Sequence, residues 1–361
     1  MTETAIKGYR SEAAFVLGSL WDTAVQAGAL HGIPFLNEKI TKSVTLEAND
    51  ELDLEAGALN GDASSKKFSG SFDTYLRYSG LDKLFAHLFG DDSISTIDAA
   101  TAFRHEMRLQ NAKEGLFGTL VINKGNVIIE EYASVKVVGC TVTIKPGRAM
   151  VTWDVVCSSL AYNTDTGTNT LTTFASVTVP SGNEAVMFQH LTAYLKPVSD
   201  TTDFDADDLA YLNEVVISIK QPVVEDDYST RGGTIIDEPV ADGKWDVTCK
   251  LGWRKFTVAA QPGAGNSAII AADLAKTKYK AKLLLTGPAI GSGTNVNLMT
   301  WYFPNLQSES VDVNVAGANV PPASVTFRAH RATSLPTGFP TGATGPVSLE
   351  IQNANDTAGD A

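Results

Sequence analysis

A layout that occurs twice constrains this chain more than any other feature. Gly70-Ser71-Phe72-Asp73 leads into the alternating stretch Thr74-Tyr75-Leu76-Arg77-Tyr78. At a spacing of 173 positions, Gly243-Lys244-Trp245-Asp246 leads into Val247-Thr248-Cys249-Lys250-Leu251. Val44-Thr45-Leu46 keeps that spacing to Ile217-Ser218-Ile219, and Val151-Thr152-Trp153 lies 174 positions before Val325-Thr326-Phe327. Self-similarity at a fixed spacing marks repeated structural units, and a unit of this length is a domain rather than a solenoid turn. Phe72, Tyr75, Trp153, Trp245 and Phe327 are the candidate core positions of the repeat. A duplicated β domain without a catalytic signature points to assembly rather than chemistry.

With 361 residues the chain holds about two domains. Apolar residues make up 43%, enough for real cores, while charged residues reach 19% against a usual ~25%. A net charge of −13 argues against gripping nucleic acid by phosphate neutralisation. It is compatible with standing beside a polyanion, which like charge repels within ~8 Å at physiological salt. Cys140, Cys157 and Cys249 are far apart, odd in number and set in β-type runs, so buried free thiols are expected. The start Met1-Thr2-Glu3-Thr4 has no basic stretch before an apolar core, and no apolar run approaches the ~20 residues that span a bilayer. The expectation is synthesis and folding in a cytoplasm, with no membrane partner.

Along the chain, Glu12–Gln26 has the composition of a short helix interrupted by Gly18, and Gly32–Leu36 reads as an extended arm. Ile40–Leu46 and Phe68–Tyr78 alternate as strands around a long polar connection, residues 47–66. Leu81–Phe89 has apolar residues at helical spacing and stops at Gly90. Strands are expected over 102–109, 116–122, 126–133, 135–144 and 149–158, and residues 160–182 are loop-like. Alternation resumes over 185–195, and the acidic segment 199–212 reads as a linker. The layout then restarts with a strand at 213–220, a second long acidic connection at 221–242 and a strand at 244–251. A short helix at 268–275 follows, with strands at 279–285, 296–303, 308–315 and 324–330. The expected fold is all-β with minor α: two tandem β-sandwich or partly closed barrel units, each with a flanking helix and a long loop. The divisions are 1–198 for an arm and first unit, 199–212 for the linker, 213–340 for the second unit and 341–361 for a flexible tail.

Motifs for chemistry are weak. His105-Glu106-Met107-Arg108-Leu109 begins like a zinc-protease helix but lacks the second histidine and sits in a strand-like run. No Gly-x-Ser-x-Gly elbow occurs, and Gly287, Gly291 and Gly293 lack the remainder of a phosphate-binding fingerprint. Asp203, Asp205, Asp207 and Glu214 match four positions of a calcium loop, but Asp208 stands where the sharp turn needs glycine, so a solvated linker is the stronger reading. No carboxylate pair is singled out for glycoside hydrolysis. No cofactor is implied. The acids Asp50, Glu51, Asp53 and Glu55 of the first long loop, and Glu225, Asp226 and Asp227 of the second, are candidate contacts to a neighbouring copy.

Gly8-Tyr9-Arg10-Ser11-Glu12, then Ile33-Pro34-Phe35-Leu36-Asn37-Glu38, an acidic loop, Ser69-Gly70-Ser71-Phe72, the Tyr75/Tyr78 strand and Leu81-Asp82-Lys83-Leu84-Phe85-Ala86-His87-Leu88-Phe89-Gly90 follow one another in order. With the later run Glu131–Cys140, this order resembles the tail tube (major tail) proteins of long-tailed bacteriophages, siphophage type. The resemblance covers residues 8 to about 158 and extends to 213–330 through the repeat. It implies a structural virion protein, not an enzyme, whose rings stack into a conduit for DNA ejection, with sheets joining neighbours into an inner barrel. The implied partners are further copies of the chain and the tape measure, tail terminator and tail-tip proteins, with DNA passing through the lumen unbound. Single-unit members form hexameric rings, so two tandem units imply trimers with pseudo-sixfold symmetry. Glu106, Glu130 and Glu131 are candidate lumen acids beside the loop acids. The rival readings are a non-catalytic tandem lectin-like or adhesin-like module, with exposed aromatics among Trp21, Trp153, Trp245, Trp253 and Trp301, and a two-acid hydrolase on a β scaffold.

Overall fold

The computed structural model describes residues 8–47, 62–98, 101–111, 113–125, 127–164, 170–180, 182–225, 236–255, 275–291, 293–313 and 322–357, with 269, 271 and 273. Among these the chain is all-β with minor α: 17 strands, all antiparallel, in one connected and unclosed sheet system.

Eight strands form a continuous central sheet. Its order is β3 (Asn37–Glu47), β4 (Asp62–Tyr75), β9 (Met150–Cys157), the C-terminal half of β8 (Ile128–Ile144), β12 (Glu214–Lys220), β13 (Asp246–Trp253), β16 (Ala323–Ala329) and the C-terminal end of β15 (Val296–Asp312). The two longest strands carry the chain out of this sheet. The N-terminal half of β8 pairs with β7 (Gly118–Lys124) and β10 (Ser159–Thr164), and β7 with β1 (Glu12–Leu17), which holds β2 (Gly32–Ile33). The N-terminal half of β15 likewise pairs with β14 (Lys278–Ala289) and β17 (Ser348–Asn353), and β14 with β11 (Leu191–Pro197). β17 also holds β6 (Ala102–Arg108), which carries β5 (Ser93–Asp98).

The duplication is therefore visible strand by strand. β1, β3, β4, β7, β8, β9 and β10 make the same pairings as β11, β12, β13, β14, β15, β16 and β17. β-bulges fix the correspondence. The β8 ladder breaks between Tyr132 and Val135 against β7 and between Val137 and Gly139 against β9. The β15 ladder breaks between Phe303 and Leu306 against β14 and between Ser308 and Ser310 against β16. Both pairs of breaks stand 171 positions apart. A bulge bends its strand, and here each one lies where a long strand passes between sheets. Because the alternation is interrupted there, each long strand reads from sequence as two.

Several expectations are corrected. Glu12–Leu17 is strand rather than helix, since Ala13, Ala14, Phe15 and Val16 are all buried and a continuous apolar run has no helical period to read. β10 occupies the expected loop 160–182. The boundary at 198–213 also moves. β11 is the counterpart of β1, so the acidic stretch 199–212 is a connection inside the second unit, between β11 and β12. The tail expected at 341–361 contains β17, whose Leu349 and Ile351 are fully buried. Of the helix expected at 268–275, alternate residues lie outside the described ones, and Ile269 and Ala271 are helical.

The helix α1 (Asp82–Phe89) ends at Gly90, whose φ of 85° and N–H to the Ala86 carbonyl (2.7 Å) make the left-handed stop that glycine allows. Seven of its eight residues are buried. Phe85 meets Trp153 of the first unit edge-on at 4.7 Å and Trp301 of the second at 5.7 Å between ring centroids. One apolar cluster runs through both units around this helix. Of the repeat positions, Phe72, Trp153 and Phe327 are buried, with Phe72 stacked on Trp153, while Tyr75 and Trp245 are half-buried.

Candidate assembly surface

The central sheet has two unlike faces. One turns Phe72, Trp153, Cys140, Ile219 and Val247 in cross-strand succession onto the core. The other presents Asn37, Asp73, Thr152, Thr141, Ser218, Thr248, Arg328 and Gln307 as one polar rank across all eight strands. Neighbouring ranks add Ser69, Ser71, Thr143, Ser324 and Thr326. Some of the charges on this face are paired locally, while Lys39, Asp154 and Lys220 also lie on it. Arg328 pairs with Asp246 (3.4 Å) and Glu309 (3.0 Å), Lys250 with Glu214 (3.2 Å), and Thr152 donates to Asp73 (2.6 Å). The side chains that follow from strand alternation thus make a wall of hydroxyls with little net charge.

The two halves of the sheet meet edge to edge, β12 on β8, from Val215↔Ile144 to Lys220↔Gly139. Among the described residues, β3 pairs with β4 and no other strand, and Ser308–Val311 of β15 pairs with β16 and no other strand. Thr41–Leu46 are exposed, as are Glu309, Ser310 and Asp312.

The two long connections link the first two strands of each half, β3 to β4 and β12 to β13, and so occupy equivalent places. Asp50, Glu51, Asp53 and Glu55 lie outside the described residues, as do Asp226 and Asp227. Glu225 pairs with Lys67 of the same chain at 3.0 Å. The first connection is shorter than sequence suggests, because β3 and β4 extend as a hairpin to Glu47 and Asp62. The end of the second is packed on the first unit. Ile236 is buried against Trp21, Val138, Val156 and Val223, the Trp21 indole donates to the Ile236 carbonyl at 3.0 Å, and Glu238 holds the buried Lys136 ammonium and the Gly115 N–H.

The other acids singled out in the sequence are spent on structure. Glu130 is buried between Lys42, Lys124 and the Tyr132 hydroxyl. Burial acts to raise its pKa, but these donors prevail and lower it. Glu131 is buried and accepts the backbone N–H groups of Leu171 and Thr172 at 3.0 Å each. Neither acid can line a lumen; Glu106 pairs with Arg108, which also reaches Glu350. In the calcium-like stretch the Lys196 ammonium stands among Asp200, Asp205 and Asp208 at 3.4, 3.9 and 3.0 Å, in the place a cation would take. Glu214 is on β12 with Lys250. Among the described residues no group of three or more His, Cys, Asp or Glu is disposed to hold a metal, and no helix is long and apolar enough to cross a membrane. The three cysteines are free and buried, and burial pushes the Cys249 thiol up to about 12. All five tryptophans are buried or half-buried, and the exposed aromatic side chains among the described residues are Tyr9, Tyr162 and Tyr211.

Nothing in the sequence pattern marks His105 as a junction. Its Nδ1 bonds Asp92 at 2.9 Å and its Nε2 the Asn355 carbonyl at 3.1 Å, 250 positions away. Asp82 at the start of α1 receives Asn353 (3.2 Å) and Asn355 (3.0 Å) from the same C-terminal segment, and burial pushes its carboxyl up.

No protein-family model matches the chain, and no curated protein matches its sequence.

Proposed function

We propose that this chain is the repeating subunit of a tube: a structural virion protein whose rings stack into the tail of a long-tailed phage and conduct DNA. The observation that carries the reading is the eight-stranded sheet of two equivalent halves, polar across one whole face and open at both ends. An open sheet edge is an aggregation hazard that closure removes, and a ring closes it with copies of the same chain. The hydroxyl face then becomes the bore. A polyanion slides past hydroxyls and compensated charges without the counterion release that drives binding to basic surfaces.

Ring size follows from strand geometry. Strands ~4.8 Å apart and tilted ~40° close at a backbone radius of about 16 Å for two copies and about 24 Å for three. With ~5 Å of side chain on each wall, the bore is about 22 Å for two copies and about 38 Å for three. The wider bore admits a hydrated double helix, which favours three copies and a pseudo-sixfold wall. Tape measure, tail terminator and tail-tip proteins are the partners that go with this reading, and no catalytic step does.

Negative-stain electron microscopy of the concentrated protein tests it. Hollow rings and tubes are expected. Monodisperse single chains at every concentration, also after seeding with tail-tip complexes, would reject it.

A further inference from the structure

Beside the start of α1 lies a cavity of about 320 Å³, a size within the range of small-molecule sites. Three donors line it without acceptors among the described residues. Lys83 is half-buried and makes no ion pair there, and burial pushes its pKa down against the pull of Asp82. His31 accepts the Gly28 N–H at Nδ1 (3.0 Å), so its neutral ring carries the proton on Nε2. Burial, with the charge of Lys83, lowers the pKa of that ring. Ser79 is 6% exposed, and its hydroxyl bonds no described protein group. Leu81 at the N-cap offers no side-chain acceptor, which leaves the positive end of the α1 dipole uncapped beside the same space. Leu30, Pro180 and Ala354 supply an apolar wall. Leu30 is 59% exposed at a φ of 62°, a left-handed conformation that a leucine adopts only where its surroundings hold it. Its N–H is fixed on the Thr178 hydroxyl at 3.0 Å. Two acids share the space. Asp82 is buried, accepts the Asn353 and Asn355 amides, and has its carboxyl pushed up by burial, while Asp356 is exposed.

We propose that this cavity binds a small organic carboxylate, its oxygens on Lys83, His31 Nε2 and Ser79 and its apolar body against Leu30, Pro180 and Ala354. The site is independent of the ring reading. Donors converging on one wall select an oxyanion. One ammonium stands against one exposed acid, so a monoanion fits, and the second charge of a phosphate would be left unpaired. The cavity is larger than a bare ion, and Leu30 gives the rest of the ligand an apolar seat. The lining comes from the loop at 28–31, from α1 and from the segment 354–357. An occupied site therefore ties three distant stretches of the chain together and stabilises the fold that binds.

Equilibrium dialysis of the full-length chain against radiolabelled benzoate tests the site, and it serves for single chains and for assemblies alike. Saturable binding of one benzoate per chain is expected at millimolar concentration. Acetate is expected to compete more weakly than unlabelled benzoate. Benzamide, which has the same shape without the charge, is expected not to compete. Lys83→Gln is expected to weaken benzoate about tenfold or more. Leu30→Gly suits the backbone at a φ of 62°. It is expected to weaken benzoate while leaving radiolabelled acetate unchanged, which keeps the test decisive should the lysine variant fail to fold. Benzoate that does not saturate, or that binds both variants as tightly as the unsubstituted chain, overturns the proposal. Competition by benzamide equal to that by benzoate, or by inorganic phosphate stronger than that by acetate, overturns it as a carboxylate site.

Discussion

His105 shows how one side chain can tie distant parts of this chain. A ring with a carboxylate at Nδ1 and a carbonyl at Nε2 faces two acceptors, so it is held doubly protonated. Burial acts to lower its pKa, but Asp92, Asp82 and the Asn355 carbonyl outweigh that and raise it above 6.5. A raised pKa contributes stability that is fully present below 6.5 and is lost as pH rises through the native value. Replacing His105 by Gln is therefore expected to cost about 2–3 kcal/mol at pH 6, with the deficit shrinking toward alkaline pH. Urea unfolding of both proteins from pH 6 to 9 checks this, and a deficit independent of pH would contradict it. The comparison must be a difference, because other buried groups pull the opposite way. Burial, with the lysines nearby, pushes His87 down to about 3, and burial pushes Lys113 down to about 7. None of this was legible in the sequence, where His105 suggested only a truncated zinc motif and its partner lies 250 positions away. Phe72, Trp153 and Gly90 were legible, because alternation and a glycine stop are local signals.

At the level of elements, α1 and the β3 edge carry the sharpest consequences. Phe85→Ala empties the space between Trp153 and Trp301 and is expected to cost about 3–5 kcal/mol. Because one cluster spans both units, unfolding should remain a single transition at lower urea. Two separate transitions would show that the halves are independent. At Gly70 an added Cβ would stand 2.2 Å from the Lys39 carbonyl oxygen, so Gly70→Ala must push β3 outward. The expected result is a folded chain with impaired assembly, read by sedimentation; unimpaired tubes would argue that β3 is not at a contact. The second long connection behaves unlike the first in expectation. Deleting 236–242 removes Ile236 from its apolar seat and leaves Lys136 buried without Glu238, so loss of several kcal/mol is expected rather than a folded subunit that fails to stack. A deletion variant with an unchanged unfolding midpoint would contradict this. The sequence showed both loops by composition, but packing on a surface 100 positions distant leaves no compositional trace. Most strands were found where alternation held, but β5, β10 and β17 were missed although β17 alternates, β1 was missed because its run is continuously apolar, and β8 and β15 were split at their bulges.

The whole molecule is a duplication whose halves share a core and a sheet. The fixed spacing of 173 pointed to a duplication, but the strand registers match the halves differently: Phe72 falls level with Leu251 rather than Trp245, Trp153 with Val325 rather than Phe327, and Ile40 rather than Val44 with Ile217. The acidic stretch 199–212 looked like a linker because it is polar, yet a buried lysine organises it within the second unit. What the sequence could not display is the polar rank from Asn37 to Gln307, since adjacent members come from strands far apart in the chain. That rank, with the open ends beside it, is the basis for a tube with three copies per ring. Native mass spectrometry of isolated rings tests this claim most directly. Rings at three times 38.3 kDa, or whole multiples of that value for stacked rings, are expected. Ring masses that are not whole multiples of three chains, or a dimer as the largest species, would contradict it.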